Sequence, residues 1–200
     1  MPPLRRPTPG HPRVERTRGR ILAVARELLP DVGPVGLTYS LLADRAGVTR
    51  QTLYRHWPTR AALLVDLILT GPESVPEAGY PEPGTDPGQV ARQWLTSLRA
   101  GMNDRATRTA VLAVTAQADS DPDSAEAVER ISADRLAAFN LLLAPSGRQS
   151  TAEEYALLVG PVFARLFYDR AEVTAEFIDM VVFHWLAAGR HRYDRCEQGE

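Results

Sequence analysis

Apolar positions in this 200-residue chain recur at intervals of three and four along most of its length, the spacing that gathers side chains on one face of an α-helix. The pattern predicts a first helix from about Val14 to Leu29, with Ile21, Val24, Ala25, Leu28 and Leu29 inward and Pro30 and Gly33-Pro34 ending it. Two short helices are predicted between Leu37 and Arg60, and a fourth from Arg60 to about Thr70 with Leu63, Leu64, Leu67 and Ile68 apolar. Further helices are predicted over Gln89–Asn103, Arg105–Asp119, Ser124–Leu143, Thr151–Tyr168 and Thr174–Ala188, with breaks at Asp121-Pro122, Pro145-Ser146-Gly147 and Asp169-Arg170. No stretch alternates with the period of two that marks a half-buried strand. The predicted fold class is all-α.

The stretch LTYSLLADRAGVTRQTLYRHWPTR carries the sharpest local signals. Thr38 is a suitable N-cap, and Leu42, Ala43 and Ala46 share one face. Gly47 can turn the chain at positive φ without steric cost, Val48 can fill the space between the helices, and Thr49 can cap the second helix. Leu53 and Trp57 lie four apart on the inner face, which leaves Arg50, Gln51, Thr52 and Arg55 pointing outward. A helix, a glycine turn and a second helix that opens on polar and basic residues form a DNA-reading helix-turn-helix.

On Thr38, Leu42, Ala43, Gly47, Val48, Thr49, Thr52, Leu53, Tyr54, Trp57, Pro58, Thr59, Arg60, Leu63 and Leu64 the chain resembles the TetR-type transcriptional regulators. It is similar to that family's run T-x-x-x-I-A-x-x-A-G-V-S-x-x-T-L-Y-x-x-F-x-S-K-x-x-L-L, with Leu42 for Ile, Trp57 for Phe, Thr59 for Ser and Arg60 for Lys. The resemblance implies an N-terminal DNA-binding domain (1–70, basic arm included) and a C-terminal effector-binding and dimerisation domain (89–200). Between them lies a Pro/Gly-rich loop (71–88). The family's fourth helix is usually longer, and Gly71-Pro72 is expected to shorten it here.

Matching residue to motif gives the expected DNA contacts. Arg50 and Gln51 open the reading helix, where Arg can fork to guanine O6/N7 and Gln to adenine N6/N7. Arg55 is one turn further on, and Ser40 is placed to reach a base or a phosphate. Thr38, Thr49, Thr52, Tyr54, His56 and Arg60 are read as phosphate contacts that fix register.

The last two helices are apolar nearly all round, Tyr155 to Phe167 on one and Phe177 to Leu186 on the other. A helix apolar on every side must be covered on every side, and a second copy of the chain supplies the missing cover. The resemblance implies a homodimer through these same helices, with Leu158, Val162, Arg165, Phe177, Val181, His184 and Trp185 as the expected interface. It also implies an effector pocket among the C-terminal helices, for which Trp94, Leu98, Met102, Val111, Val114, Phe139, Phe163 and Phe167 are the candidate lining.

Charge sharpens the picture. Residues 1–60 hold eleven Arg and four acids, a net of +7, and the remaining chain holds twelve Arg and twenty-one acids, a net of −9. A basic front on an acidic body fits a DNA-binding end joined to a different kind of domain. Arg5, Arg6, Arg13, Arg16, Arg18 and Arg20 make the start a basic arm, read either as a solvated tail or as a phosphate or minor-groove contact.

The single cysteine, Cys196, sits in a polar tail and allows no intrachain disulfide, in agreement with a reducing cytoplasm. No apolar run approaches the roughly 18 residues that span a bilayer, and the start lacks the apolar core of a signal peptide. The four His fall into no His-x-x-x-His or Glu-x-x-His pair, and no Gly-rich phosphate loop occurs. The sequence therefore reads as a non-enzymatic regulator without a cofactor, a dimer on a two-fold-related double-stranded DNA operator. The leading role is a repressor released by a small apolar effector. An activator and an interaction protein without an effector stay open beside it.

Overall fold

The computed structural model describes residues 12–70 and 82–197, so the start of the basic arm and most of the Pro/Gly-rich loop lie outside the described residues. The described chain is helical, with no strand. Its helices are α1 (Pro12–Gly36), α2 (Tyr39–Ala46), α3 (Arg50–His56), α4 (Arg60–Thr70), α5 (Pro87–Asn103), α6 (Arg105–Gln117), α7 (Pro122–Leu143), α8 (Ala152–Phe167) and α9 (Ala175–Glu197).

Two helices outrun their sequence-based ends. Pro30 does not stop α1; it removes one backbone donor, and the break comes at Gly33, whose φ of 69° is open to glycine. Pro34 then starts one last turn, whose neighbour Leu37 donates its N–H to the Gly33 carbonyl at 3.0 Å. At the other end, α9 continues from Ala188 to Glu197 and carries Cys196 within a helix rather than a tail. The sequence there holds no proline to interrupt it.

The chain forms two compact units. One comprises Met1–Ser74 and Gly101–Ala133, the other Val75–Ala100 and Asp134–Glu200. A division at the 71–88 loop alone would leave α6 and the first half of α7 with the C-terminal part, whereas by packing they belong to the front unit. The reason lies in α4. Ala61, Leu63, Leu64, Val65, Leu67 and Ile68 are all buried, so α4 needs cover on several sides. α1 covers one side and α6 another, the latter with a seam of Ala106, Ala110, Ala113 and Val114. Small side chains on that seam let the helix axes approach closely.

Polar ties fix this packing. Asp104 caps α6 by accepting the Thr107 amide at 2.8 Å, and it also accepts Arg26 Nη1 of α1 at 2.8 Å. Arg26 Nη2 donates to the Leu67 carbonyl near the end of α4 at 2.8 Å, so one guanidinium joins three helices. The second unit has its own core, in which Val90, Trp94 and Leu95 of α5, Phe139 and Leu143 of α7, Leu158 and Val162 of α8 and Val181 and Trp185 of α9 are buried together.

Candidate nucleic-acid interface

The reading pair is built from local chemistry. Thr38 Oγ1 accepts the Leu41 amide at 3.2 Å and starts α2; Gly47, at φ 62°, ends it in the left-handed conformation. Thr49 Oγ1 accepts the Thr52 amide at 3.2 Å, starts α3, and lies 3.0 Å from the Thr52 hydroxyl. Leu42, Ala43, Ala46, Leu53 and Trp57 are buried beneath the pair, and Val48 packs against the same core.

This burial leaves the opposite face to solvent. Arg50, Gln51, Tyr54 and Arg55 of α3 are exposed, as are Thr38, Ser40, Thr49 and Arg60, while Thr52 and His56 are half-buried. Arg50 Nη1 donates to Ser40 Oγ at 3.4 Å, which joins the start of α3 to α2 on the exposed side. Arg60 donates to the Pro34 carbonyl at 3.2 Å, so its guanidinium is anchored at the rim of the same surface. All ten candidate contacts therefore lie in one unit, around one short helix.

Three further residues organise the site. Tyr39, the first residue of α2, points its hydroxyl at the carbonyls of both Trp57 and Thr59, each at 2.8 Å, and its ring lies 4.8 Å from that of Tyr54. Burial, with the neighbouring Tyr54 adding to it, pushes the Tyr39 hydroxyl up to about 12, so it stays a neutral donor. Asp66 is the only acid in α4 and interrupts the apolar run from Ala61 to Leu69. Its Oδ2 accepts the Trp57 indole N–H at 2.6 Å and the Arg18 guanidinium at 2.6 and 3.2 Å. An acid in an apolar helical run was the signal that could have pointed to it, because such a group needs partners once it packs. Arg18, counted in the basic arm, is thus paired inside the fold. His56 lies with its ring 5.3 Å from Trp57. Burial first, then the charges of Arg55 and Arg18, hold it below the usual histidine range.

The candidate pocket residues are not all brought together. Val111 and Val114 of α6 belong to the core of the front unit, and Met102 also falls within that unit. Trp94, Leu98, Phe139 and Phe163 belong to the core of the second unit, where Trp94 and Phe139 stand 5.4 Å apart and Phe163 stacks on Phe167 at 5.7 Å. That core also holds Tyr155, whose hydroxyl accepts the Trp94 indole N–H at 3.1 Å, and Trp185, 5.8 Å from Phe139. A separate open groove on α7, of about 330 Å³, is lined by Ala137, Asn140, Leu141 and Arg148 among others and by none of the candidate lining residues.

Of the expected interface residues, Leu158, Val162, Val181 and Trp185 are buried in their own chain. Arg165 donates to the Glu172 carbonyl at 2.8 Å and covers the ring of half-buried Phe177. His184 is exposed. The outward-facing residues are Leu157, Pro161 and Ala164 on α8, Tyr168 just after it, and Met180, Phe183 and His184 on α9, with Leu157 59%, Met180 49% and Phe183 62% exposed. A helix that is apolar all round does not reveal which stripe its own chain covers.

Residues 21–67 match the family model described as bacterial regulatory proteins, tetR family. The chain is 38% identical over 61 residues, 30% of its own length, to the uncharacterized HTH-type transcriptional regulator YdeS of Bacillus subtilis. That match spans about a third of the length of the relative (31%). Among solved structures, the TetR family transcription regulator SCO0332 is similar at TM-score 0.60 with 24% identity, covering 86% of this chain and 97% of that one. The multidrug binding protein EbrR, solved with imidazole, is similar at TM-score 0.53 with 25% identity, covering 90% and 97%. Residues 21–67 therefore match the DNA-binding segment of the tetR family, and the chain around it has the all-α fold of the similar solved structures.

Proposed function

We propose that the protein is a repressor that binds a two-fold-related operator as a homodimer and is released by a small apolar effector. The observation that carries the DNA reading is the exposure of Arg50 and Gln51 at the start of α3, on a helix whose two ends are capped and whose inner face is buried. In that position side chains reach base edges in the major groove, while Thr38, Thr49, Tyr54 and Arg60 around them fix register on phosphates. Two copies would present their reading helices about 34–36 Å apart. The exposed apolar stripes of α8 and α9 support the dimer, because a lone chain would leave Leu157, Met180 and Phe183 in water. The similarity to EbrR, a multidrug binding protein, supports an apolar effector.

Selection of bound fragments from a random DNA pool tests the reading. Enrichment of one site with two inverted half-sites is expected; a pool that stays random after repeated rounds rejects it.

One observation favours a second reading, a regulator of the same fold without a small-molecule effector. Phe139 is fully buried, and Trp94, Tyr155 and Trp185 all stand within 5.8 Å of its ring, so the aromatic centre of the second unit is filled by its own side chains. A thermal-shift screen followed by operator titration separates the two. Compounds that stabilise the protein and weaken operator binding support the effector; stabilising compounds that leave DNA affinity unchanged support the second reading.

A further inference from the structure

We infer that Asp66 is a positioning residue for the reading helix: by accepting the Trp57 indole N–H and the Arg18 guanidinium together, it holds the end of α3 against α4 and α1 and so sets specific DNA affinity without touching DNA. The inference rests on the DNA-binding reading above.

α3 has only seven residues. A helix that short has too few internal hydrogen bonds to be stable alone, so its existence and direction come from tertiary contacts. At its N-terminal end the contacts are the local Thr49 cap and a long, exposed Arg50–Ser40 bond of 3.4 Å to α2. The C-terminal end is different. Trp57, 1% exposed, closes the helix, its backbone N–H donating to the Leu53 carbonyl at 2.8 Å while its side chain is tied to another element. Its indole goes to Asp66 of α4, and Asp66 goes on to Arg18 of α1. From the other side, the Tyr39 hydroxyl of α2 holds the carbonyls of Trp57 and Thr59. The turn Trp57-Pro58-Thr59 is thus held from α2 and α4, with α1 joined through Asp66, and the grip through Asp66 is the charged one. Hydrogen bonds to a charged group are stronger than neutral ones and leave a larger penalty when one partner is removed.

Base readout depends on orientation to a fraction of an ångström, whereas sequence-independent attraction depends on charge and hardly at all on the tilt of one helix. The two respond oppositely to a change at Asp66. Removing a negative charge beside a DNA-facing surface strengthens attraction to any DNA. Loosening the end of α3 weakens binding to the operator alone. A direct or purely electrostatic role and a positioning role therefore predict opposite signs.

The experiment compares the full-length protein with Asp66→Asn, Trp57→Phe and the double variant. Each is titrated with the selected operator and with random duplex DNA, and its thermal unfolding is recorded. Trp57→Phe keeps an aromatic ring in the core while removing the indole donor, and the unfolding record accounts for the lost ring volume, so it carries the test if Asp66→Asn fails to fold. The expected result for Asp66→Asn is a roughly tenfold loss of operator affinity, with random-DNA affinity unchanged or higher. Trp57→Phe should weaken operator binding in the same selective way. The double variant should bind the operator about as weakly as the worse single one, because both break one linkage. Without DNA, the indole N–H resonance that disappears in Trp57→Phe should move in Asp66→Asn. The inference is overturned if both single variants bind operator like the parent, if operator and random DNA weaken equally, or if the loss matches the fraction unfolded. A parent protein that enriches no sequence overturns the DNA reading itself, a different outcome from enrichment by the parent with unaltered variants.

Discussion

Arg26 of α1 donates to Asp104 Oδ2 at 2.8 Å, and Asp104 is the residue that caps α6. The carboxylate thus does two tasks, satisfying the Thr107 amide and hydroxyl at a helix start and pairing a guanidinium that also holds the end of α4. Burial pushes its carboxyl up, but the Thr107 hydroxyl and amide and Arg26 outweigh that and hold it below its ordinary value.

Asp104→Ala should destabilise the protein by about 1–3 kcal/mol at neutral pH, from the lost cap and from an Arg26 left short of a partner. The sign with pH follows from the depressed carboxyl. Its contribution is fully present above about 3.8, the ordinary value, and is lost as pH falls through the lower folded value. Denaturant unfolding at pH 7 and below pH 4 checks both statements: the gap between parent and variant should narrow in acid.

Phe183→Glu should turn the proposed dimer into a monomer of 22.0 kDa in sedimentation at micromolar concentration. It places a charge in the most exposed large apolar position of the α9 stripe. Val181→Ala, by contrast, lies in the chain's own core and should lower stability while leaving the oligomeric state alone. Parent protein that sediments as a monomer removes the dimer from the reading.

Arg50→Ala should cost roughly 1–3 kcal/mol of operator affinity and relax preference at one base pair in each half-site. Arg60→Ala should weaken all sequences alike and flatten the salt dependence by about one unit of slope. Equal losses on operator and random DNA in both variants would remove Arg50 as a base reader.

Operator affinity should rise as pH is lowered from 7.5 towards 5.5. The free protein holds His56 below the ordinary histidine value of 6.5, through burial and the charges of Arg55 and Arg18, against the smaller opposing pull of Glu15 and Asp66. A phosphate beside it favours the protonated ring, so binding takes up a proton and acid strengthens the complex. His56→Gln should flatten the profile. A parent profile already flat over this range takes His56 off the list of phosphate contacts.

Much of the front unit was legible because its signals are local. A threonine cap, a glycine at positive φ and a second threonine cap are each set by a few neighbouring residues, and they fall at Thr38, Gly47 and Thr49 as the sequence reads. What periodicity cannot supply is the identity of the neighbour. It gives α6 an apolar face but not that the face lies on α1 and α4, so Val111 and Val114 read as pocket lining and are core of the front unit. It also fails on α8 and α9, where Leu158 and Leu157 are equally apolar and only the first is covered by its own chain. Charge counting has the same limit: Arg18 adds to the basic total and is paired with Asp66 at 2.6 Å.

The interleaving of the front unit bears on the order in which it can be made. α4 ends at Thr70, but the seam that covers it lies on α6, which ends at Gln117. During synthesis the reading pair, α1 and α4 emerge with one apolar side of α4 still bare. At about 5–20 residues per second, the cover follows roughly 2–10 s later. A fragment cut at the Pro/Gly-rich loop would be left permanently in that half-made state. Ala110, fully buried on the late-arriving seam, is therefore a residue on which the DNA-reading end depends although it is translated long after it.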